Sequence, residues 1–234
     1  MAKIIVIVIV IIAIYLVYSY FSSEDGAQLV SMHNARESII LKQEDLEEQS
    51  SSDYAFSIWF AVDDWDYQYG KRKAIFERLN KDNNLVPGVY FDETINNIIV
   101  QTETTGNDET FECSLENVPL QKWTNLIISV NDRNMELYLD GKLVKTCILS
   151  GVPEQATDSM VHITPAPANG NNNFGFGGFV SNFRHIGKAI NPREAWKIYK
   201  NGYEQGGLFS NMFKSYGLKF AITKNNREIN KLEF

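Results

Sequence analysis

Residues 121–149 read QKWTNLIISVNDRNMELYLDGKLVKTCIL, and the spacing of their apolar positions decides the fold class. Leu126, Ile128 and Val130 alternate with polar neighbours. After the polar turn 131–134, Met135, Leu137 and Leu139 do so again, and a third run carries Val144, Thr146 and Ile148. A period of two on such residues gives strands with one face in a core. Asp140-Gly141 joins the second and third runs, and both central positions of a type I′ hairpin turn need positive φ, which that pair accepts readily. The stretch predicts an antiparallel meander with one buried face on each strand.

Working outward, residues 54–62 (YAFSIWFAV) predict a buried strand in which Phe56, Ile58 and Phe60 alternate with Ala55, Ser57 and Trp59. Residues 73–79, 86–92, 97–102, 110–115, 160–164 and 174–186 read as further strands, and Pro87 marks an edge or a strand start. Asn191 caps a helix with Pro192 at its first position, where the missing N–H costs nothing. Ala195, Ile198 and Tyr199 share its inner face, and Gly202 ends it.

Trp123 opening one strand, a polar turn, and the hairpin Leu137-Tyr138-Leu139-Asp140-Gly141-Lys142-Leu143-Val144 together resemble the laminin-G-like branch of the concanavalin A-like jelly rolls. The later strand Phe176-Gly177-Gly178-Phe179-Val180-Ser181-Asn182-Phe183-Arg184 and the helix at 191–199 continue the likeness, which covers residues 54–202. The resemblance implies an all-β, antiparallel β-sandwich with one short C-terminal helix, occupying residues 54–207. In such domains the first strand often pairs with the last, which makes residues 38–42 the candidate opening strand. It also implies a non-enzymatic recognition module for glycan or protein, although glucanases share the fold.

Net charge is −7 and the pI about 5.1, with no basic stripe, so a nucleic-acid partner is not expected. Cys113 and Cys147 are the only cysteines, so no disulfide scaffold exists; one bridge between strands and two buried thiols both remain open. No Asn-x-Ser/Thr sequon occurs.

Outside the sandwich, an uncharged run opens at Ile4 and closes at Phe21. As a helix it spans ~27 Å, the thickness of a bilayer's hydrocarbon. Tyr15, Tyr18 and Tyr20 gather at its end, as in an interfacial belt. Residues 1–21 therefore predict an uncleaved single transmembrane helix in contact with the lipid bilayer, with the bulk of the chain on the non-cytoplasmic side or on a viral membrane. Residues 22–53 form an acidic spacer that contributes the first strand. Residues 208–234 form an apolar tail with a hairpin at 219–223 and 228–234, which packs on its own sandwich, another protein or a membrane.

For chemistry, no E-x-D-x-x-E strand of the glucanase kind occurs, and His33, His162 and His185 are scattered, so no catalytic residue is assigned. The ligand-binding candidates lie in two long loops, 63–70 and 165–173, expected at one rim. They are Trp65, Tyr67 and Tyr69, whose rings can stack on a sugar, and Asn171, Asn172 and Asn173, whose amides can bond hydroxyls. The resemblance also implies a Ca²⁺ ion at the rim, for which Asp63, Asp64 and Asp66 offer the hard oxygen ligands, with the Asn run as neighbours. Two alternative functions stand beside recognition. One is a structural protein of a membrane-bearing assembly, such as a large DNA virus inner-membrane or minor capsid protein. The other is a degenerate glycoside hydrolase.

Overall fold

The structure, a computed structural model, describes residues 12, 15, 26–49, 51–166 and 174–203, and the backbone of two strands, Lys219–Lys224 and Arg227–Glu233. The uncharged run at 4–21 lies outside the described residues, Ile12 and Tyr15 apart. Among those described, no helix is long and apolar enough to cross a membrane.

Two antiparallel sheets face each other. The first is ordered β1 (Gln28–Val30), β13 (Gly177–Ile186), β4 (Tyr54–Asp64), β9 (Thr124–Asn131), β10 (Asn134–Leu139), β11 (Lys142–Ile148), with β2 (His33–Asn34) also on β13. The second is ordered β3 (Ile39–Lys42), β12 (Met160–Ile163), β5 (Lys73–Leu79), β6 (Leu85–Phe91), β7 (Ile98–Thr104), β8 (Asn107–Leu115). The strands Lys219–Lys224 (β14) and Arg227–Glu233 (β15) pair only with each other, as the tail hairpin.

The meander forms as its alternation requires. Leu137 stands opposite Ile128, and Asp140 and Gly141 take φ of 49° and 72°. Its inward residues join Phe56, Phe60, Phe76, Phe91, Phe176 and Phe183 between the sheets. On the outer face of the first sheet lies the helix α1 (Pro192–Lys200). The Asn191 side chain accepts from the Arg193 and Glu194 amides, and Glu194 accepts from the Asn191 amide. Ala195 and Ile198 are buried on Ala55, Ile127, Tyr138 and Ile186.

Two expectations are corrected, and one left open is decided. The third meander strand, β11, is an edge strand: Leu143, Val144 and Ile148 are 45%, 50% and 69% exposed, since among the described residues no strand lies beyond it and the register slips between Leu137 and Tyr138. The partner of the last sandwich strand is Gln28–Val30, whereas Ile39–Lys42 pairs with Met160–Ile163 in the other sheet. The cysteines are bonded: Cys113 on β8 and Cys147 on β11 lie 6.2 Å apart at Cα, so the bridge ties the edge of one sheet to the edge of the other.

The registers define two ends. Asp64, Lys73, Phe91, Ile98 and Gly177 mark one; Tyr54, Leu79, Asn131 and Ile186 mark the other. Along β4 they stand ~33 Å apart. The chain enters at the second end, where the Gly26 carbonyl accepts from Arg184 Nη1 at 3.2 Å.

Candidate functional site

The β4–β5 connection is built by its own short bonds at the first end. The Tyr67 amide donates to Asp64 Oδ1 (3.2 Å), the Tyr69 amide to the Asp66 carbonyl (3.1 Å) and the Lys71 amide to the Gln68 carbonyl (3.1 Å). The Gly70 amide reaches the Glu93 carbonyl at 3.1 Å, so this loop and the β6–β7 turn form one rim.

Four cations lie over aromatic rings here. Arg36 stands 4.6 Å from the Tyr67 ring centre, Lys71 4.6 Å from Phe174, Arg72 4.1 Å from Tyr90 and Lys73 4.2 Å from Trp65. Each pair contributes roughly 0.5–1 kcal/mol where exposed and more where water is excluded. Lys73 is the excluded case. It is buried, its ammonium makes no hydrogen bond among the described residues, and burial lowers its pKa while Asp64, Asp66 and Asp92 pull it back up.

The predicted aromatics therefore divide. Trp65 packs on the core, edge-on to Phe91 at 5.8 Å, and is a structural ring. Tyr67 is half-buried with Arg36 on one face. Tyr69, 58% exposed, is the ring this loop presents to solvent. Asn171, Asn172 and Asn173 lie outside the described residues. The segment holding them is flanked by Thr164, whose amide donates to the Ile75 carbonyl (3.0 Å), and Phe174, whose carbonyl accepts from the Ala74 amide (2.6 Å). Both flanks thus meet the Lys73–Ile75 end of β5, beside the aromatic loop.

The three carboxylates are not brought together. Asp63 and Asp64 are consecutive in a strand and point to opposite faces. Asp64 is paired with Arg36 at 2.7 Å, and Asp66 is exposed in the turn. Among the described residues, no three His, Cys, Asp or Glu side chains form a group able to hold a metal ion.

Where the Gly70 amide meets Glu93, the rim opens a cleft of about 370 Å³ lined by Arg72, Phe91, Asp92, Glu93, Thr94 and Ile99, near the lower size of small-ligand sites. Asp92 Oδ1 accepts from the Thr94 amide (3.0 Å) and the Ile95 amide (3.2 Å). The Thr94 bond above all holds its carboxyl below the ordinary carboxylate range. Both amides load one oxygen, so Oδ2 keeps acceptor capacity. An ionised carboxylate, a guanidinium and a hydroxyl beside the half-buried Ile99 suit a ligand that both donates and accepts. Sequence reasoning missed this cleft because its residues come from separate turns; the basic run Lys71-Arg72-Lys73 was its one visible signal.

The carboxylate Glu77 is buried on β5. β5 carries no second acid, and the residues opposite Glu77 are Gly88 and His162. His185, 1% exposed, lies in the core against Phe56 with ring centres 4.8 Å apart.

A comparison with curated proteins finds no match. Among solved structures, the binding domain of botulinum neurotoxin serotype D superposes with a TM-score of 0.56 at 14% identity, over 74% of this chain and 41% of that one. The binding domain of botulinum neurotoxin DC in complex with rat synaptotagmin II gives 0.52 at 10% identity, over 75% and 45%. A botulinum neurotoxin type C structure, titled for cell entry dependent on two ganglioside molecules, gives 0.54 at 13%, over 76% and 45%. The chain spans less than half the length of these neighbours, and at such identities the likeness is one of fold. Residues 35–195 match the concanavalin A-like lectin/glucanases superfamily, and the chain belongs to it.

Proposed function

We propose that this protein is a membrane-anchored, non-enzymatic recognition module whose rim takes a hydroxyl-rich ligand, a glycan. The observation that carries this reading is the cleft of Arg72, Asp92 and Thr94 beside Ile99, on the rim whose neighbouring loop exposes the Tyr69 ring. Carboxylate and guanidinium pair with sugar hydroxyls, and a tyrosine face covers the apolar face of a pyranose. The ganglioside and synaptotagmin named for the neighbours are ligands of the same two classes, glycan and protein. β5 carries a single acid, Glu77, where the glucanase pattern sets several on one strand.

The anchor reading rests on the uncharged run closing at Phe21. Four residues link it to Gly26, a span of at most ~14 Å. The chain enters the sandwich at the end opposite the cleft, so the rim faces away from the bilayer. The Cys113–Cys147 bridge fits an oxidising compartment, hence the non-cytoplasmic side. The alternative, a structural protein of a membrane-bearing assembly, is favoured by the exposed aliphatic residues of β11.

The test is a glycan array probed with the full chain in detergent, repeated with Tyr69→Ala and with Arg72→Gln. Selective binding that both variants lose, with unchanged melting temperature, supports the reading. A wild type that binds no glycan, or variants that bind as well as it does, would overturn it.

A further inference from the structure

β11 is the last strand of its sheet, and no described strand pairs with its outer edge. Natural proteins blunt such edges, most often with lysine, because the unpaired N–H and C=O groups template another strand. Here the blunting is partial: Lys142 stays exposed on the edge. Lys145 is turned aside, donating to the Ser114 carbonyl at 2.8 Å, and Leu143, Val144 and Ile148 stand in solvent. The edge is also fixed in place, since the Cys113–Cys147 bridge fastens β11 to β8. Trp196, 42% exposed, flanks it from α1: a Cβ added at Gly141 would lie 3.0 Å from its ring.

Charge selects the occupant. Residues 141–148 and 187–200 hold Lys142, Lys145, Lys188, Arg193, Lys197 and Lys200 against one carboxylate, Glu194, in a chain with 29 acids and 22 bases. We infer that β11 is a docking edge for an extended segment of a partner protein, alternating acidic and apolar residues, which adds to the sheet as a further strand. A second copy would bring the same basic strand and set lysine against lysine. A bilayer has no groups to pair with the open backbone. The rim takes no part, so failure of the glycan reading leaves this one standing.

The experiment uses the full chain in detergent micelles and fluorescein-labelled peptides of alternating glutamate and valine or alternating lysine and valine, read by anisotropy. The acidic peptide should bind saturably and lose affinity as salt rises. Lys142→Glu should weaken it roughly 10-fold, in line with reversing one charge at a docked strand. Val144→Pro, which removes an edge N–H, should weaken it further. Val144→Glu keeps the backbone donor and serves if the proline variant does not fold; Tyr69→Ala should bind as wild type does. Equal binding of both peptides, or of neither, overturns the inference. So does capture by phosphatidylserine-rich vesicles in place of peptide, or a concentration-dependent dimer in sedimentation that Val144→Glu dissolves.

Discussion

Acidification should loosen this domain through His185, and the size of the effect follows from its surroundings. The ring is buried against Phe56, and neither nitrogen makes a well-formed hydrogen bond. Burial pushes its pKa from 6.5 down to about 3; the nearby Arg78 guanidinium adds to the push, and the Glu47 backbone carbonyl opposes it weakly. Arg78 is fully buried too, and among the described residues it is bonded to neutral partners: Ser159 Oγ (2.9 Å), Gln49 Oε1 (3.1 Å) and Gln43 Oε1 (3.3 Å). Its own pKa, lowered by burial to about 10, leaves it charged throughout the acid range. The unfolded chain therefore takes up a proton on His185 below about pH 6.5 while the folded chain does not, so stability is whole above that pH and falls towards pH 3. Integrating between those pKa values gives about 2 kcal/mol lost at about pH 5. For a chain of this size that is roughly 4–8 °C in melting temperature. Urea unfolding from about pH 7.5 to about pH 5 measures it, with His185→Leu as the comparison, since that variant keeps an apolar ring neighbour and cannot titrate. Carboxylates give both proteins a shared slope, and the histidine appears as the difference. Parallel stability curves for the two would refute the reasoning.

Three further outcomes are expected. Replacing Cys113 and Cys147 by Ala should cost about 4 kcal/mol, the loop-closure entropy of a bridge across this separation of 34 residues, read by thermal melts under oxidising and reducing conditions; an unchanged melt would refute it. Trp65→Ala should lower stability by about 3 kcal/mol as a partly buried ring is deleted, while Tyr69→Ala should melt as wild type does; the reverse order would return Trp65 to the binding surface. After alkaline carbonate extraction the full chain should stay with the membrane, and release into the supernatant would remove the anchor.

What was legible in the sequence was local. The alternation of Leu126 to Leu139, the positive φ tolerated by Asp140-Gly141 and the Asn191 cap each act within a few residues, so pattern and structure agree there. β11 shows why pattern alone fails at an edge: Val144, Thr146 and Ile148 alternate whether or not a second layer covers them. Gln28–Val30, three residues long, is too short to show any period, so the opening strand was sought at residues 38–42. The cysteine pairing depends on which two edges meet across the sandwich, and nothing near either residue encodes that. Trp65 sits among acids in a loop, yet its ring is drawn onto Phe91 and covers Lys73, a contact no spacing announces. The cleft escaped for the same reason, because Arg72 and Asp92 are brought together only when β5 pairs with β6.

The two ends of the sandwich carry different chemistry, and the entering chain ties one of them to the membrane reading. Gly26 takes φ of 78°, and a side chain there would press on Ile186 Cγ1 at 2.8 Å and on the His185 carbonyl at 2.9 Å. Gly26 is thus braced on the strand segment that carries His185. Arg184 in the same segment holds the Gly26 carbonyl with one nitrogen and Asn182 with another. Protonation of His185 would place a second buried cation near Arg78, with neutral groups in its hydrogen-bond shell. The strain would fall on the end through which the chain arrives. The rim cleft lies ~33 Å away along β4, and its polar groups are exposed or bonded to backbone, with no buried imidazole among them. Acid should therefore loosen the tethered end before it disturbs the surface proposed to bind.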